Sequence, residues 1–426
     1  MIARLLYTLF LYLVTPLAML YLLYRSRRQP AYRRHWRERW ARYGQPRPSG
    51  PRLIWLHAVS VGETRAAAPL VQALQARYPN HRILLSCMTP TGRATAEELF
   101  GDRVDIAYLP YDYPGAVRRF LDHYRPVLGA VLETEVWPNL IYACRRRDVP
   151  LYLVNARLSD KSFRGYARLR SLVGPAFAQF AGVLAQSQDD ADRLARLGAR
   201  DIGVMGNLKF DNLPPQDAVA RGYRWHQQLG ERPVLLFASS RDGEEALLLD
   251  ALAGKTLPEQ LLTVIVPRHP QRFDEVAALL DARGVRYVRR SSWDEQVLPA
   301  EVTVLLGDSM GEMAAWYALA DVAIMGGSLL DYGCQNLIEP AALGTPVLIG
   351  PSTFNFADVA RAALAAGAAW QGKSADAVAS RALRLLRDGA VRGRMRAAGL
   401  AFASAHRGAT ERALSYLETR LAPPPR

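Results

Sequence analysis

The chain of 426 residues is poor in the residues from which disulfide frameworks and metal sites are built. Its three cysteines, Cys87, Cys144 and Cys334, are odd in number and far apart. We therefore predict neither a disulfide framework nor a Cys-rich metal site, and expect a reducing compartment. The seven histidines show no H-E-x-x-H or comparable ligand spacing, so the sequence gives no reason to expect a bound metal or another cofactor.

Several nucleotide-binding and hydrolase signatures are also missing. The sequence contains neither G-x-x-x-x-G-K-S/T nor a strand-linked G-x-G-x-x-G, which disfavours a P-loop or a dinucleotide-binding Rossmann site. It has no G-x-S-x-G segment, which argues against an α/β-hydrolase. An enzyme of this sequence must therefore bind its substrates by other means.

Acidic residues are scarce relative to basic ones, with 40 acids against 54 bases and a formal net charge of +14. Eight arginines crowd residues 25–42, where Glu38 is the sole acid. Aromatic residues such as Trp36 and Trp40 alternate with these arginines, a pattern typical of a lipid headgroup layer. We therefore predict a membrane surface as the anionic partner and no nucleic acid.

An uncharged apolar run, Leu5–Tyr24, precedes this basic segment. It is long enough to cross a bilayer core of roughly 30 Å as a helix, and Pro16 would kink it. Only Arg4 precedes the run, so the positive-inside rule predicts an inner-membrane anchor with the bulk of the chain on the cytoplasmic side. No small-residue cleavage site precedes the basic segment, which argues against a cleaved signal peptide. A helix lying in the membrane interface is the remaining alternative.

The rest of the chain alternates between strand and helix patterns, which predicts an α/β protein with parallel sheets. We divide it into an anchor with its basic segment at 1–44, one Rossmann-like domain at 45–210 and a second at 211–426 that includes the C-terminal helices. Residues 44–51 form a breaker-rich linker. Two doubly wound domains would place a cleft at the carboxyl ends of their strands. The predicted strands are 53–56, 83–86, 106–109, 128–132, 151–154, 183–185, 234–238, 262–266, 302–306, 322–325 and 347–349.

Glu63 is the first candidate for chemistry, because it follows the strand Leu53–Leu56 and begins a helix. A carboxylate in such a crevice can accept a proton from a hydroxyl if partial burial tunes its pKa. We expect Gly62 to give the backbone room to turn. The alternative is that Glu63 only serves the helix dipole from the first turn.

Two further candidates lie in the same half of the chain. Glu133 follows another strand beside a Trp-Pro turn, and Lys209 is a cation near the junction of the domains. A paired-carboxylate hydrolase stays an alternative, in which one of Glu63 and Glu133 acts as the acid and the other as the base. The sequence does not give the distance between the two carboxylates.

In the second half, polar groups again follow strands. Arg268 offers a planar fork that suits a phosphate or carboxylate. Gly327 and Ser328 offer backbone N–H groups and a hydroxyl that could hold a phosphate. Glu339 lies just inside a helix, where it could bind two ribose hydroxyls or simply serve the dipole, and Gly311 with Glu312 fits nucleotide contacts in the same way.

Eight motifs stand in chain order and together resemble the Kdo (3-deoxy-D-manno-octulosonic acid) transferases of lipopolysaccharide assembly. The motifs are residues 57–63 (HAVSVGE), 88–92 (MTPTG), 109–112 (LPYD), 133–139 (ETEVWPN), 155–159 (NARLS), 209–211 (KFD), 267–270 (PRHP) and 326–329 (GGSL). One position departs from the family pattern: Cys334-Gln335-Asn336 stands where Gly-His-Asn is usual. Gln335 keeps hydrogen-bonding capacity but cannot titrate.

The resemblance implies a GT-B glycosyltransferase that moves Kdo from CMP-Kdo to a lipid A precursor (lipid IVA) with inversion at the anomeric carbon. It implies that Glu63 is the base and that Glu133 and Lys209 stabilise the transition state, while Ser60, Gly62, Gly327 and Ser328 are further candidates for the donor's phosphate or sugar. The residues implied in CMP binding are Pro267, Arg268, Met310, Gly311, Glu312, Asn336, Leu337, Ile338 and Glu339. Two other functions stay open: a GT-B transferase that uses a UDP- or GDP-sugar, and a membrane-tethered protein that binds anionic lipid or nucleic acid without turnover.

Overall fold

The computed structural model describes residues 2–44, 50 and 52–421, and within them two compact units. Unit 1 comprises Met1–Asn212 with Arg407–Arg426, and unit 2 comprises Leu213–His406. Most of the predicted linker at 44–51 and the proline-rich tail at 423–425 lie outside the described residues. The two parallel-sheet units confirm the predicted α/β class with two Rossmann-like domains.

Unit 1 contains a parallel sheet in the order β3-β2-β1-β4-β5-β6-β7. Its central strands are apolar runs buried on both faces, as expected where helices cover a parallel sheet. The strands are β1 (Leu53–His57), β2 (Arg82–Cys87), β3 (Asp105–Tyr108), β4 (Pro126–Leu132), β5 (Leu151–Ala156), β6 (Gly182–Ala185) and β7 (Ile202–Val204). The helices are α1 (Ile2–Arg28), α2 (Val61–Arg77), α3 (Pro90–Phe100), α4 (Pro114–Tyr124), α5 (Pro138–Arg145), α6 (Asp160–Arg168), α7 (Arg170–Phe177) and α8 (Gln188–Leu197).

Unit 2 repeats this architecture with a parallel sheet in the order β10-β11-β9-β8-β12-β13-β14. Its strands are β8 (Val234–Ser240), β9 (Leu262–Pro267), β10 (Tyr287–Arg289), β11 (Val304–Leu306), β12 (Val322–Met325), β13 (Val347–Ile349) and β14 (Ala369–Gln371). Its helices are α9 (Gln216–Leu229), α10 (Glu244–Ala253), α11 (Phe273–Ala282), α12 (Met313–Leu319), α13 (Ile338–Ala342), α14 (Ala357–Ala365), α15 (Ala375–Arg387) and α16 (Gly389–Ala405).

Three strands were not predicted from the sequence: β7, β10 and β14. Each has three residues and lies at the edge of its sheet. Edge strands are half exposed, so they lack the apolar run by which the central strands were recognised.

The chain ends on unit 1, because the last helix, α17 (Ala409–Leu421), packs there rather than on unit 2, to which the sequence analysis assigned it. The buried side chains of Ala413 and Leu417 join the core beside α2. The carboxylate of Asp211 accepts hydrogen bonds from the backbone N–H groups of Gly408 and Thr410, on either side of the first residue of the helix. Asp211 therefore ties α17 to the chain segment that carries Lys209.

Helix α1 is long and apolar enough to cross a membrane over Ile2–Arg27. Its large apolar side chains, among them Leu9, Leu13 and Leu20, are exposed. A narrow polar stripe faces the rest of unit 1: the Tyr7 hydroxyl donates to Asp112, and Thr8 exchanges hydrogen bonds with Asn139. The helix thus directs apolar groups outward and polar groups toward its own domain.

The basic segment after α1 does not present all its arginines to solvent. Arg39 is buried, donates to the Met88 carbonyl at 3.0 Å and lies over the Tyr108 ring at 4.0 Å. Glu38 accepts a hydrogen bond from Arg93 at 2.8 Å. Arg39 is therefore not available to lipid head groups, contrary to the prediction from the sequence for this segment. It holds the segment against the domain instead.

Candidate active site

In the sheet of unit 1, β1 and β4 are neighbours although β2 and β3 separate them in the chain. The strand order therefore reverses between β1 and β4. A crevice forms outside the carboxyl ends of two such strands, because their connections leave toward opposite edges. Glu63 follows β1 and Glu133 follows β4. The topology therefore places both predicted carboxylates where ligands bind in this type of sheet.

Ser60 and Glu63 form the amino-terminal cap of α2. The Ser60 hydroxyl accepts from the Glu63 N–H, and the Glu63 carboxylate accepts from the Val59 N–H at 2.8 Å and from the Ser60 hydroxyl at 3.1 Å. This reciprocal arrangement resembles a capping box, so the structural role considered for Glu63 is real. It also fixes the carboxylate in one orientation.

The same carboxylate titrates near neutrality. Glu63 is 9% exposed, and burial raises its pKa to about 7, with a further contribution from the negative charge of Glu133. The two hydrogen bonds to the carboxylate oppose this rise without cancelling it. Capping and proton transfer are therefore compatible roles for this side chain.

The sequence predicted that Gly62 gives the backbone room to turn, but the structure does not support this role. It lies inside the first turn of α2, and its φ is not among the positive values in the chain. A Cβ added there would meet only the Ser60 Oγ, at 3.9 Å. By contrast, a Cβ on Gly92 would lie 3.2 Å from the Val59 carbonyl oxygen, so the motif at 88–92 supports the Ser60 loop by close packing.

Glu133 and Lys209 form an ion pair across the end of the sheet, with 3.4 Å between Oε1 and Nζ. Each side chain is about a quarter exposed, so both remain open to a ligand. Glu133 has a φ of 57°, an uncommon conformation for a residue other than glycine that is often found at functional sites.

The turn that carries Lys209 is held from two sides. The Asn155 side-chain oxygen accepts from the Leu208 N–H at 3.0 Å, and the Asn207 side-chain oxygen accepts from the Lys209 N–H at 3.0 Å. Asn155 is buried, is the penultimate residue of β5 and also has a positive φ, 55°. The motif at 155–159 thus begins with a residue that positions the lysine.

Glu135 is a third acid at this site. It lies in the motif at 133–139, but the sequence did not predict it as a site residue. Burial raises its pKa to about 7, and Glu133 contributes to the rise. Its charge in turn helps to raise the pKa of Glu63. The spacing of two residues in Glu133-Thr134-Glu135 was the signal that could have identified it. Three acids therefore share the neighbourhood of a lysine, which favours keeping a proton on one of them near neutral pH.

In unit 2, the predicted donor residues also follow strand ends. Pro267 is buried at the end of β9, while Arg268 is exposed, and its N–H donates to the Ser240 carbonyl at 3.0 Å. Met310 is 60% exposed beside Gly311, which has a φ of 83° and open space around it. Arg268, Met310 and Gly311 are thus accessible to a ligand.

Glu312 is already bound within unit 2. Its carboxylate accepts hydrogen bonds from Arg221 at 2.9 Å, from Arg290 at 3.0 Å and from Ser309. The Arg290 guanidinium also lies over the Trp225 ring. A nucleotide contact by Glu312 would therefore be through its backbone or would compete with two arginines.

The segment from Asn336 to Glu339 forms the start of α13. The Asn336 side chain donates to Glu339 at 2.9 Å and accepts from the Ile338 N–H at 3.1 Å, while Leu337 and Ile338 are buried. Glu339 is partly exposed in the first helical turn.

Gly327 and Ser328 do not offer the phosphate-binding groups that the sequence suggested. The Gly327 N–H donates to the buried carboxylate of Glu244 at 2.7 Å, and Glu244 also accepts from the Leu329 and Leu330 N–H groups. The buried Ser328 hydroxyl donates to the Met325 carbonyl and accepts from the Gly350 N–H. Because these donors are used internally, they are not available to a phosphate.

Comparison with known proteins gives the family. Residues 34–212 match the family model described as 3-deoxy-D-manno-octulosonic-acid transferase (kdotransferase). The 3-deoxy-D-manno-octulosonic acid transferase of Bordetella pertussis is 47% identical over 374 residues, 86% of each chain. The Haemophilus influenzae protein of the same name is 37% identical over 98% of this chain and 99% of its own.

Solved structures of low sequence identity share the fold. UDP-GlcNAc 2-epimerase from Neisseria meningitidis superimposes with a TM-score of 0.61 at 14% identity, over 86% of this chain and all of its own. A glycosyltransferase from Rickettsia africae gives a TM-score of 0.59 at 12% identity, over 88% of this chain and all of its own. With the GT-B fold and the close relatives together, the chain belongs to the 3-deoxy-D-manno-octulosonic acid transferase family and is a glycosyltransferase.

Proposed function

We propose that this enzyme transfers Kdo from CMP-Kdo to a lipid A precursor, lipid IVA, with inversion at the anomeric carbon. Family membership supports the transferred sugar. The observation that carries the mechanism is a single carboxyl group, that of Glu63, held at the switch point of the first sheet with a pKa of about 7. A base with that pKa combines a useful ionised fraction at neutral pH with real affinity for a proton.

Glu63 accepts the proton of the acceptor hydroxyl as the hydroxyl oxygen bonds to the anomeric carbon of Kdo. The bond between that carbon and the cytidylate phosphate oxygen breaks, and its electron pair leaves with CMP. Because CMP is a stable anion, the leaving group needs no proton from a general acid. One carboxylate therefore suffices for an inverting transfer.

Glu133 and Lys209 stabilise the charges that develop during this step. Positive charge grows on the sugar ring as the leaving group departs, and a carboxylate nearby favours it. Lys209 offsets the sugar's own carboxylate and the surrounding acids. Their ion pair at 3.4 Å and their partial exposure support these roles.

Unit 2 binds the cytidylate. Arg268, exposed after β9, is the best placed group for its phosphate, and Glu339 accepts hydrogen bonds from ribose hydroxyls. Pro267, Met310, Gly311, Asn336, Leu337 and Ile338 surround the base and ribose, and Glu312 braces the loop that contains Gly311. We give Gly327 and Ser328 no direct contact with the phosphate, since Glu244 and Met325 hold their donors.

The exposed apolar face of α1 could anchor the enzyme to a membrane, and we propose the inner membrane with both units on its cytoplasmic side. The arginines exposed between residues 33 and 42 support this orientation through the positive-inside rule. A lipid acceptor embedded in the same leaflet would then be presented directly to unit 1.

The decisive experiment incubates the purified enzyme with CMP-Kdo and lipid IVA and resolves the products by mass. We expect lipid IVA to gain Kdo, free CMP to appear, and activity to persist in EDTA. Exchange of the donor for a UDP-sugar should abolish transfer. Turnover with the UDP-sugar but not with CMP-Kdo would overturn the proposed substrate.

A further inference from the structure

A basic surface in unit 1 has no role in the chemistry described so far. The exposed side chains of Lys161, Arg164 and Arg168 on α6 and of Arg170 at the start of α7 form what we call the α6–α7 basic patch. Leu169, between the two helices, is 55% exposed. In the described part of the chain, none of the four basic side chains has an acidic partner; Asp160, the acid of α6, pairs with Arg193 instead.

The α6–α7 basic patch is presented by a fixed helix. Phe163 and Tyr166 pack against the core of unit 1, and the Tyr166 ring meets Phe177 edge to face at 6.1 Å between centroids. The Ser159 hydroxyl caps α6 by accepting from the Ser162 N–H. Positive charges on a rigid helix lose less conformational freedom on binding an anion than charges on a flexible loop would.

The helices that carry the patch adjoin both the strand ends with the acidic residues and α1. α6 leaves the sheet after β5, next to β4, which leads to Glu133 and Glu135. Burial raises the pKa of the Tyr166 phenol, and the nearby negative charge of Glu135 raises it further. At the other end, α7 packs against α1, the candidate membrane helix. A lipid head group bound here would lie on helices that adjoin both the strand leading to the acids and the candidate membrane helix.

We infer that the α6–α7 basic patch binds the phosphate groups of the lipid acceptor and so holds its reacting hydroxyl near Glu63. The inference rests on the proposed function, because it takes an anionic lipid as the acceptor. Four cations without acidic partners complement phosphates, and Arg binds them through paired N–H groups. The exposed Leu169 suits the boundary between head group and acyl chain.

The test compares two charge-matched variants of the full-length enzyme. One carries Lys161→Gln, Arg164→Gln and Arg168→Gln; the control carries Arg118→Gln, Arg384→Gln and Arg394→Gln, three exposed arginines for which no partner is described. Steady-state kinetics are measured with lipid IVA and with the same lipid after enzymatic removal of its phosphates. Flotation with acceptor-free vesicles of phosphatidylcholine and phosphatidylglycerol is measured in parallel.

We expect the patch variant to raise the KM for lipid IVA about tenfold or more, with kcat and the KM for CMP-Kdo within about twofold of wild type. The control variant should stay within about twofold throughout. On the dephosphorylated lipid the two variants and the wild type should converge, because the groups that the patch binds are gone.

Two results would overturn the inference. An equal loss of the patch variant on both lipids would show that it does not contact the phosphates. An unchanged KM with weakened flotation would assign the patch to bulk anionic lipid rather than to the acceptor. A wild-type enzyme that transfers nothing to lipid IVA would refute the proposed function itself, which is a separate outcome.

Discussion

The two units of this enzyme surround their buried and half-buried acids with different groups. In unit 1, Glu63 and Glu135 are buried near another carboxylate, and their pKa values rise to about 7. In unit 2, Glu312 is held by two arginines and Glu244 by backbone N–H groups. Burial raises the pKa of Glu244 as well, but its carboxylate accepts four backbone hydrogen bonds and braces the segment around Gly327, whereas Glu63 lies near the negative charges of Glu133 and Glu135. Burial alone therefore does not mark a catalytic acid.

The largest expected effect comes from Glu63→Gln. The amide keeps the capping oxygen but cannot accept a proton, so we expect transfer to fall by about 10²–10⁴-fold. CMP binding by unit 2 should not change, which calorimetry with CMP can verify. Glu98→Gln, an exposed position on the same unit, is the matched control and should keep full activity. Survival of transfer in the Glu63 variant would remove the proposed base.

Glu244→Gln should instead weaken unit 2. The amide has one acceptor oxygen and places N–H groups against the backbone donors that the carboxylate now binds. We expect the free energy of unfolding to fall by about 2–4 kcal/mol and the KM for CMP-Kdo to rise. Urea denaturation measures the first effect, with the exposed Glu259→Gln as control. A loss of kcat without loss of stability would contradict the bracing role.

Lys209→Met tests the cation of unit 1. Removing the charge that pairs with Glu133 should lower kcat by about 100-fold, while Lys209→Arg should retain part of the activity. The exposed ion pair between Lys255 and Asp376 in unit 2 offers a comparison, and Lys255→Met should leave kcat within about twofold. Equal losses from both lysines would indicate a nonspecific effect of charge.

Ionisation of Glu63 should also lower the free energy of unfolding of the enzyme. A raised pKa means that the folded state holds the proton more tightly than the unfolded chain, so stability falls as the pH rises from 4.5 to about 7. We therefore expect Glu63→Gln to be more stable than wild type at pH 8, by about 1–3 kcal/mol, and equal to it near pH 4. Thermal unfolding at the two pH values measures this. Destabilisation at pH 8 would show that the capping role outweighs the burial of charge.

The smallest effect is expected from Glu135→Gln. Removing its negative charge should make Glu63 easier to ionise, so the pH at which activity is half maximal should fall by roughly a few tenths of a unit. The rate at high pH should change less than in Glu63→Gln. A pH profile that loses its ionisation altogether in this variant would make Glu135, not Glu63, the titrating base.

The sequence predicted the parts of the molecule that local patterns determine. The apolar runs gave β1 and β4, and with them the positions of Glu63 and Glu133 at adjacent strand ends. It did not predict contacts made by distant residues. The Gly327 N–H looked available until the structure placed Glu244, 83 residues earlier, against it. Similarly, α17 returns to unit 1 through Asp211, 197 residues before Gly408, which no local pattern reveals.

The proposed mechanism depends most on the ionisation of one carboxyl group, so the most direct measurement is kcat/KM for lipid IVA as a function of pH at saturating CMP-Kdo. Glu63 acts in its ionised form, and burial places its pKa at about 7. We predict a rate that rises tenfold per pH unit below this value and levels off above it. A rate that is flat from pH 5.5 to 8.5, or that falls across this range, would contradict the assignment of Glu63 as the base.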